Sequence, residues 1–157
     1  MSLIIRIANP DDTDTIFDFI CQLAEYEKLR EEVSATPETL RKSLFENKEA
    51  EVLIAEEDGF PVGFALFFHN FSTFKGKACL YLEDIFVKEE LRGKGFGKAL
   101  FMELVKIAQE RGCERFDWSV LKWNKPSIGF YRSLGAEEMS EWRTYRLTKE
   151  KYKNLLK

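Results

Sequence analysis

Between Ala78 and Ala108 the chain reads as a strand, a basic glycine turn and an amphipathic helix, and this succession constrains the fold more than any other feature. The strand-like run ends in Leu80-Tyr81-Leu82-Glu83-Asp84-Ile85-Phe86-Val87, and Arg92-Gly93-Lys94-Gly95-Phe96-Gly97-Lys98 follows it. Leu100, Leu104, Ile107 and Ala108 then repeat at helical spacing, with Gly112 as a stop. Glycines let backbone N–H groups turn toward a ligand and the start of a helix adds positive potential, so the turn suits a pyrophosphate. Two familiar phosphate motifs do not fit. A dinucleotide fingerprint from Gly93 needs glycine where Lys98 stands, and a P-loop ending at Lys98 needs Ser or Thr at Ala99 and glycine at Arg92.

The rest of the chain frames this unit as one domain spanning residues 1–157, the size expected of a single core. Residues 3–8 read as a strand. Asn9-Pro10-Asp11-Asp12 caps a first helix whose apolar positions Ile16, Phe19, Ile20 and Leu23 carry it to about residue 29. Thr36-Pro37-Glu38 starts a second helix, with Leu40, Leu44 and Phe45 as its apolar face. Residues 51–56 and 61–71 flank an Asp58-Gly59 turn as a hairpin. Beyond the third helix come a strand over 116–121, a short helix capped by Asn124 and ending before Gly135, and a last strand at Tyr145-Arg146-Leu147. The order predicts an α/β fold, a mixed sheet flanked by helices.

Charge is uneven along the chain. Residues 1–60 hold 15 acids against 6 bases, a balance of −9, and residues 61–157 hold 12 against 18, a balance of +6. The net charge of −3 argues against a nucleic-acid partner, while an acidic wall facing a basic one suits a cationic ligand beside an anionic one. No apolar run approaches the ~20 residues of a membrane span, and the start lacks the pattern of a secretory signal. Cys21, Cys79 and Cys113 have no paired spacing and read as reduced thiols of a cytoplasmic protein. A single histidine, His69, and no Cys/His pair at ligand spacing leave no metal site; His69 is assigned no role.

Four stretches together carry a resemblance: Leu23-Ala24-Glu25-Tyr26-Glu27, Tyr81-Leu82-Glu83-Asp84, the Arg-x-x-Gly-x-Gly turn from Arg92 to Gly97, and Trp123-Asn124-Lys125-Pro126-Ser127-Ile128-Gly129-Phe130-Tyr131. Over nearly its whole length the chain resembles the GNAT superfamily of N-acetyltransferases. It is most similar to the diamine (spermidine/spermine) acetyltransferase branch and its thialysine-acetylating relatives. The resemblance implies a mostly antiparallel central sheet with acetyl-CoA in a cleft between splayed central strands. It implies that backbone groups of Ile85, Phe86 and Val87 face the acetyl-pantetheine arm. Amides of Arg92, Gly93, Lys94, Gly95, Phe96, Gly97 and Lys98 would hold the pyrophosphate, and Asn124, Pro126 and Ser127 would line the far side of the cofactor. It also implies a homodimer and a small-molecule amine as acceptor.

Acyl transfer to nitrogen needs a neutral amine, a polarised carbonyl and a proton for the departing thiolate. Alkyl amines have pKa values near ~10, so a base is required at neutral pH. Glu83, set in an apolar run, is the expected base, its carboxyl raised by desolvation, with Asp84 on the opposite face of a regular strand. Tyr131 is the expected acid, since a phenol near ~10 can donate to a thiolate near ~8.5. The Val87 N–H would polarise the carbonyl. Tyr26, Glu27 and Glu83 match the family's acceptor wall. Arg143 stands where the diamine branch carries an acid, which disfavours a second ammonium and favours a carboxylated amine such as a lysine- or thialysine-like amino acid. The expected reaction is direct acetyl transfer from acetyl-CoA to the primary amine of a small molecule, a polyamine, a lysine- or thialysine-like amino acid or a related amine. The alternatives are a non-catalytic CoA-binding sensor and an acetyltransferase acting on protein N-termini or aminoglycosides.

Overall fold

The computed structural model describes residues 2–157, and its first unit, which ends at Ser119, is built on one five-stranded sheet. The strands are β1 (Leu3–Ile7), β2 (Glu51–Glu57), β3 (Phe60–Ser72), β4 (Lys77–Val87) and β5 (Phe116–Trp118), hydrogen-bonded in that order. The first three pairings are antiparallel and the β4–β5 pairing is parallel. A tight turn joins β2 to β3, where Asp58 and Gly59 both take positive φ, whereas β1 and β2 are separated by the helical segment between Ile7 and Glu51. The parallel pair needs a crossover, which α3 (Phe96–Glu110) supplies.

Helix α1 (Thr13–Tyr26) lies on one face of the sheet. Its buried Ile16, Phe19 and Leu23 join Val52, Ile54, Phe64 and Phe86 in one core, with the Phe19 and Phe64 rings stacked 5.5 Å apart. The intervening residues Leu53 and Ala65, equally buried, point to the other face, where α3 packs on β2, β3 and β4 through its own buried Leu100 and Leu104. At the entrance to α1, Asn9 caps a 3₁₀ turn over Pro10–Asp12 rather than the helix itself. Arg6 holds that turn with a bidentate pair to Asp12 at 2.8 Å and a bond from Nε to Glu56 at 2.6 Å.

Three boundaries differ from the expected ones. Helix α1 stops at Tyr26, because Lys28 sits in the left-handed region at φ 61°. The second helix, α2 (Pro37–Arg41), capped by Thr36, loosens into a π-helical turn over Lys42–Glu46 that lets Leu44 reach the core. Strand β5 ends at Trp118, short of the expected span over 116–121.

The second unit, from Val120 to Lys157, holds α4 (Lys125–Ser133) and α5 (Lys149–Asn154). The strand expected at Tyr145-Arg146-Leu147 does not form. The run is three residues long between Thr144 and Thr148, Tyr145 is 90% exposed, and no described strand pairs with it. A strand without a partner leaves its backbone groups to water and has nothing to define it. Among the described residues no helix is long and apolar enough to cross a membrane.

Candidate active site

The open edge of β4 is where the sheet can accept a ligand. Strand β5 pairs with β4 only over Leu80–Leu82, and no described strand continues beside Glu83–Val87. Tyr81 Oη and Ser119 Oγ lie 3.0 Å apart at this fork. Backbone direction along the free stretch follows from the β3 register. Lys88 N–H donates to Val62 C=O, so Lys88, Phe86 and Asp84 bond to β3, and alternation turns the N–H and C=O groups of Ile85 and Val87 to the open edge. Two of the three residues expected to face a ligand with their amides are therefore so placed. Phe86 is not: its amide belongs to the β3 ladder and its ring, 6% exposed, belongs to the core. Gly63 sits opposite Val87, and a β-carbon there would come within 2.6 Å of the Phe86 carbonyl oxygen. Only glycine lets β3 back the open edge this closely.

The strand is not regular at the acids. Leu66 pairs with Asp84 and Phe67 with Leu82, leaving Glu83 as the extra residue of a bulge. The expected simple alternation fails there, and with it the argument that Glu83 and Asp84 are separated on opposite faces. Glu83 is exposed rather than desolvated. Asp84, paired with Leu66, lies on the α1 face, and its carboxyl is pushed up to about 6, chiefly by burial, then by Glu83 and Glu27. Burial also raises the Glu27 carboxyl, at the C-terminal cap of α1. Three acids thus share one corner, and the one whose environment most disfavours its charge is Asp84. Nothing in the sequence singles Asp84 out, because a bulge leaves no mark in apolar periodicity.

The glycine turn fits an anionic group. Gly93 and Gly95 both take φ 86°, and Gly95 stands at the N-cap of α3, which has no side-chain cap and no acid in its first turn. A β-carbon at Gly93 or Gly95 would meet nothing within 4 Å, so their backbone faces open space. Uncapped first-turn amides at the positive end of a long helix suit a diphosphate, with exposed Lys94 and Lys98 beside them. Phe96 anchors the turn in the core and is 5% exposed. The Arg92 side chain does not extend toward this turn. It bends back over the rings of Tyr26 and Phe86.

In the second unit, Asn124 is buried and its Oδ1 accepts from the Ser127 N–H at 3.4 Å, with Pro126 in the first turn of α4. The Asn-x-Pro-Ser pattern is thus in the first place a helix start. Tyr131, on α4, is half-buried, and burial raises its phenol above the ordinary range. Arg143 is exposed in the irregular segment before α5.

Comparison with known proteins adds to this geometry. Residues 15–136 match the acetyltransferase (GNAT) family model. The thialysine N-epsilon-acetyltransferase of Sus scrofa is 37% identical over 98% of this chain and 97% of its own, and that of Caenorhabditis elegans is 33% identical over 91% and 90%. An L-ornithine N5-acetyltransferase of Arabidopsis thaliana is 31% identical, covering 92% of this chain and 83% of its own. Among solved structures, an integron cassette protein from the mobile metagenome of V. cholerae superposes with a TM-score of 0.82 at 29% identity, over 100% of this chain and 99% of that one.

Proposed function

Since the chain belongs to the GNAT family and is an N-acetyltransferase, we propose that it moves acetyl from acetyl-CoA to the side-chain amine of a lysine- or thialysine-like amino acid. The observation that carries this reading is the juxtaposition, on one strand, of a raised carboxyl at Asp84 and outward-facing amides at Ile85 and Val87. Two partly buried acids, Asp84 and Glu27, have carboxyls raised by burial, and their charge favours an ammonium bound beside them.

Acetyl-CoA supplies the acetyl group as a thioester and departs as a thiol. The chain's residues do the rest. Asp84 receives the ammonium and takes its proton; a carboxyl near 6 is ionised at neutral pH yet closer to the amine in basicity than an ordinary aspartate. Glu83, exposed at the bulge, passes that proton to water. The Val87 N–H polarises the carbonyl under attack. Nitrogen bonds to the carbonyl carbon, the carbon–sulfur bond breaks, and the phenol of Tyr131 protonates the sulfur; the second proton that the nitrogen loses as the amide forms returns Tyr131 to the phenol. Its pKa, raised by burial, keeps it protonated at neutral pH. The amides from Gly93 to Lys98 bind the diphosphate, the Arg92 amide donating instead to the Glu89 carbonyl, and Asn124, Pro126 and Ser127 line the cofactor. Tyr26 and Glu27 form the acceptor wall and Arg143 pairs with the acceptor's carboxylate. Residues 1–157 act as one cytoplasmic acetyltransferase domain. A second copy covers the exposed Met139, Trp142, Tyr145 and Leu147, making a homodimer.

The similarity to thialysine and ornithine acetyltransferases supports a diamino-acid acceptor. An amine panel read by free-thiol release tests it, spanning thialysine, lysine, ornithine, spermidine, an aminoglycoside and a peptide N-terminus. Thiol release is expected to be fastest with thialysine or lysine. Preference for spermidine, the aminoglycoside or the peptide contradicts the proposal.

A further inference from the structure

Arg92 opens the glycine turn, where its charge would ordinarily be given to a phosphate. Its actual contacts lie elsewhere. Nε donates to the Val87 carbonyl at 3.1 Å. The guanidinium carbon lies 4.4 Å from the centre of the Tyr26 ring and 5.2 Å from that of Phe86. One side chain thereby joins the cofactor turn, the open edge of β4 and the end of α1, where Glu27 follows Tyr26. Val87 presents both of its backbone groups to the open edge, and Arg92 takes the carbonyl while leaving the N–H for a ligand. A flat guanidinium that both donates and stacks holds these parts together better than a flexible ammonium could.

We propose that Arg92 is a positioning residue for acetyl transfer, a strut that fixes the Val87 amide and the Tyr26–Glu27 corner relative to each other, and not a phosphate ligand. The proposal rests on the acetyltransferase reading of the site and assigns this residue a role within it. A phosphate role depends on charge, so lysine would replace Arg92 best. A strut depends on a planar donor, so glutamine would.

The test compares Arg92→Ala, Arg92→Lys and Arg92→Gln. Binding of CoA is measured by titration calorimetry, and KM and kcat with thialysine by thiol release. Arg92→Ala is expected to raise KM for the amine about tenfold, the loss of one hydrogen bond and the contacts with the Tyr26 and Phe86 rings, with CoA affinity changed less than about twofold. Arg92→Gln, whose amide nitrogen can stand where Nε does, should recover the hydrogen-bond share of that loss, and Arg92→Lys less, since an ammonium keeps charge near the rings but loses the donor at the Nε position. The double variant Arg92→Ala/Tyr26→Leu should lose less than the sum of the two single losses, because the contact between them is shared. Weakened CoA binding restored by lysine, or additive losses in the double variant, would overturn the strut. If the chain turned over no amine at all, the acetyltransferase reading would fall, yet the strut would still be legible by NMR. The Arg92 Nε–H should exchange slowly and shift in the field of the Tyr26 ring. A signal exchanging as fast as that of a solvated arginine overturns the proposal, and it does so even if Arg92→Ala fails to fold.

Discussion

Replacing Asp84 by asparagine separates the cost of the acidic corner from its use. In the folded chain this carboxyl is raised to about 6, against ~3.9 for aspartate in an unfolded chain. Between those two values the folded state holds the proton and the unfolded state has lost it, so stability falls as pH rises through the window. That difference in acidity corresponds to about 3 kcal/mol, which the protein carries as a penalty at neutral pH. Asparagine keeps the shape and removes the charge, together with its repulsion of Glu83 and Glu27. Because the corner opens to solvent on one side, the expected gain is about 2 kcal/mol, or roughly 4–8 °C in melting temperature for a chain of this length. Thermal unfolding followed by circular dichroism at pH 4 and at pH 7.5 measures it. The variant should match the parent at pH 4 and exceed it at pH 7.5. Its thiol release should fall about a hundredfold or more, with loss of the rise in kcat/KM expected of the parent through pH 6. A variant no more stable than the parent at pH 7.5, or one that keeps the limb near pH 6, refutes the assignment of the raised carboxyl to Asp84.

Tyr131→Phe should lower turnover about a hundredfold while calorimetry finds CoA binding unchanged; unaltered turnover assigns the thiolate's proton to another donor. Arg143→Glu should shift the ratio of kcat/KM from thialysine toward spermidine, and a constant ratio removes Arg143 from acceptor selection. Arg6→Met strands Asp12, whose carboxyl the Arg6 guanidinium holds below the usual range, and should cost about 2 kcal/mol by urea unfolding at pH 7, less as pH falls through the Asp12 pKa. Sedimentation at micromolar concentration should find a dimer that Trp142→Asp dissociates; a monomeric parent contradicts the proposed assembly.

Elements with strong local signals can be read directly from the sequence. The apolar spacing of Ile16, Phe19 and Leu23 and of Leu100 and Leu104 marks both large helices, since each position is fixed by burial against a sheet. Asp58-Gly59 marks the hairpin because positive φ restricts residue choice. The glycine turn is legible for the same reason. Features that depend on pairing between distant strands are not. The bulge at Glu83 arises from the register between β3 and β4, so the identity of the desolvated acid cannot be read from either strand alone. The fate of Arg92 is hidden likewise, because its partners Tyr26 and Phe86 are distant in sequence or across a turn. The expected last strand has suitable residues and yet pairs with no described strand, and composition carries no information about pairing.

The most direct measurement follows one acetyl group. Acetyl-CoA carrying a ¹³C-labelled carbonyl is mixed with excess protein and thialysine, and the carbonyl resonance is followed by NMR beside a thiol count. Direct transfer should replace the thioester signal by an amide signal, with one thiol released for each amide formed. A thioester that persists, or that becomes free acetate while the amine stays unmodified, contradicts it.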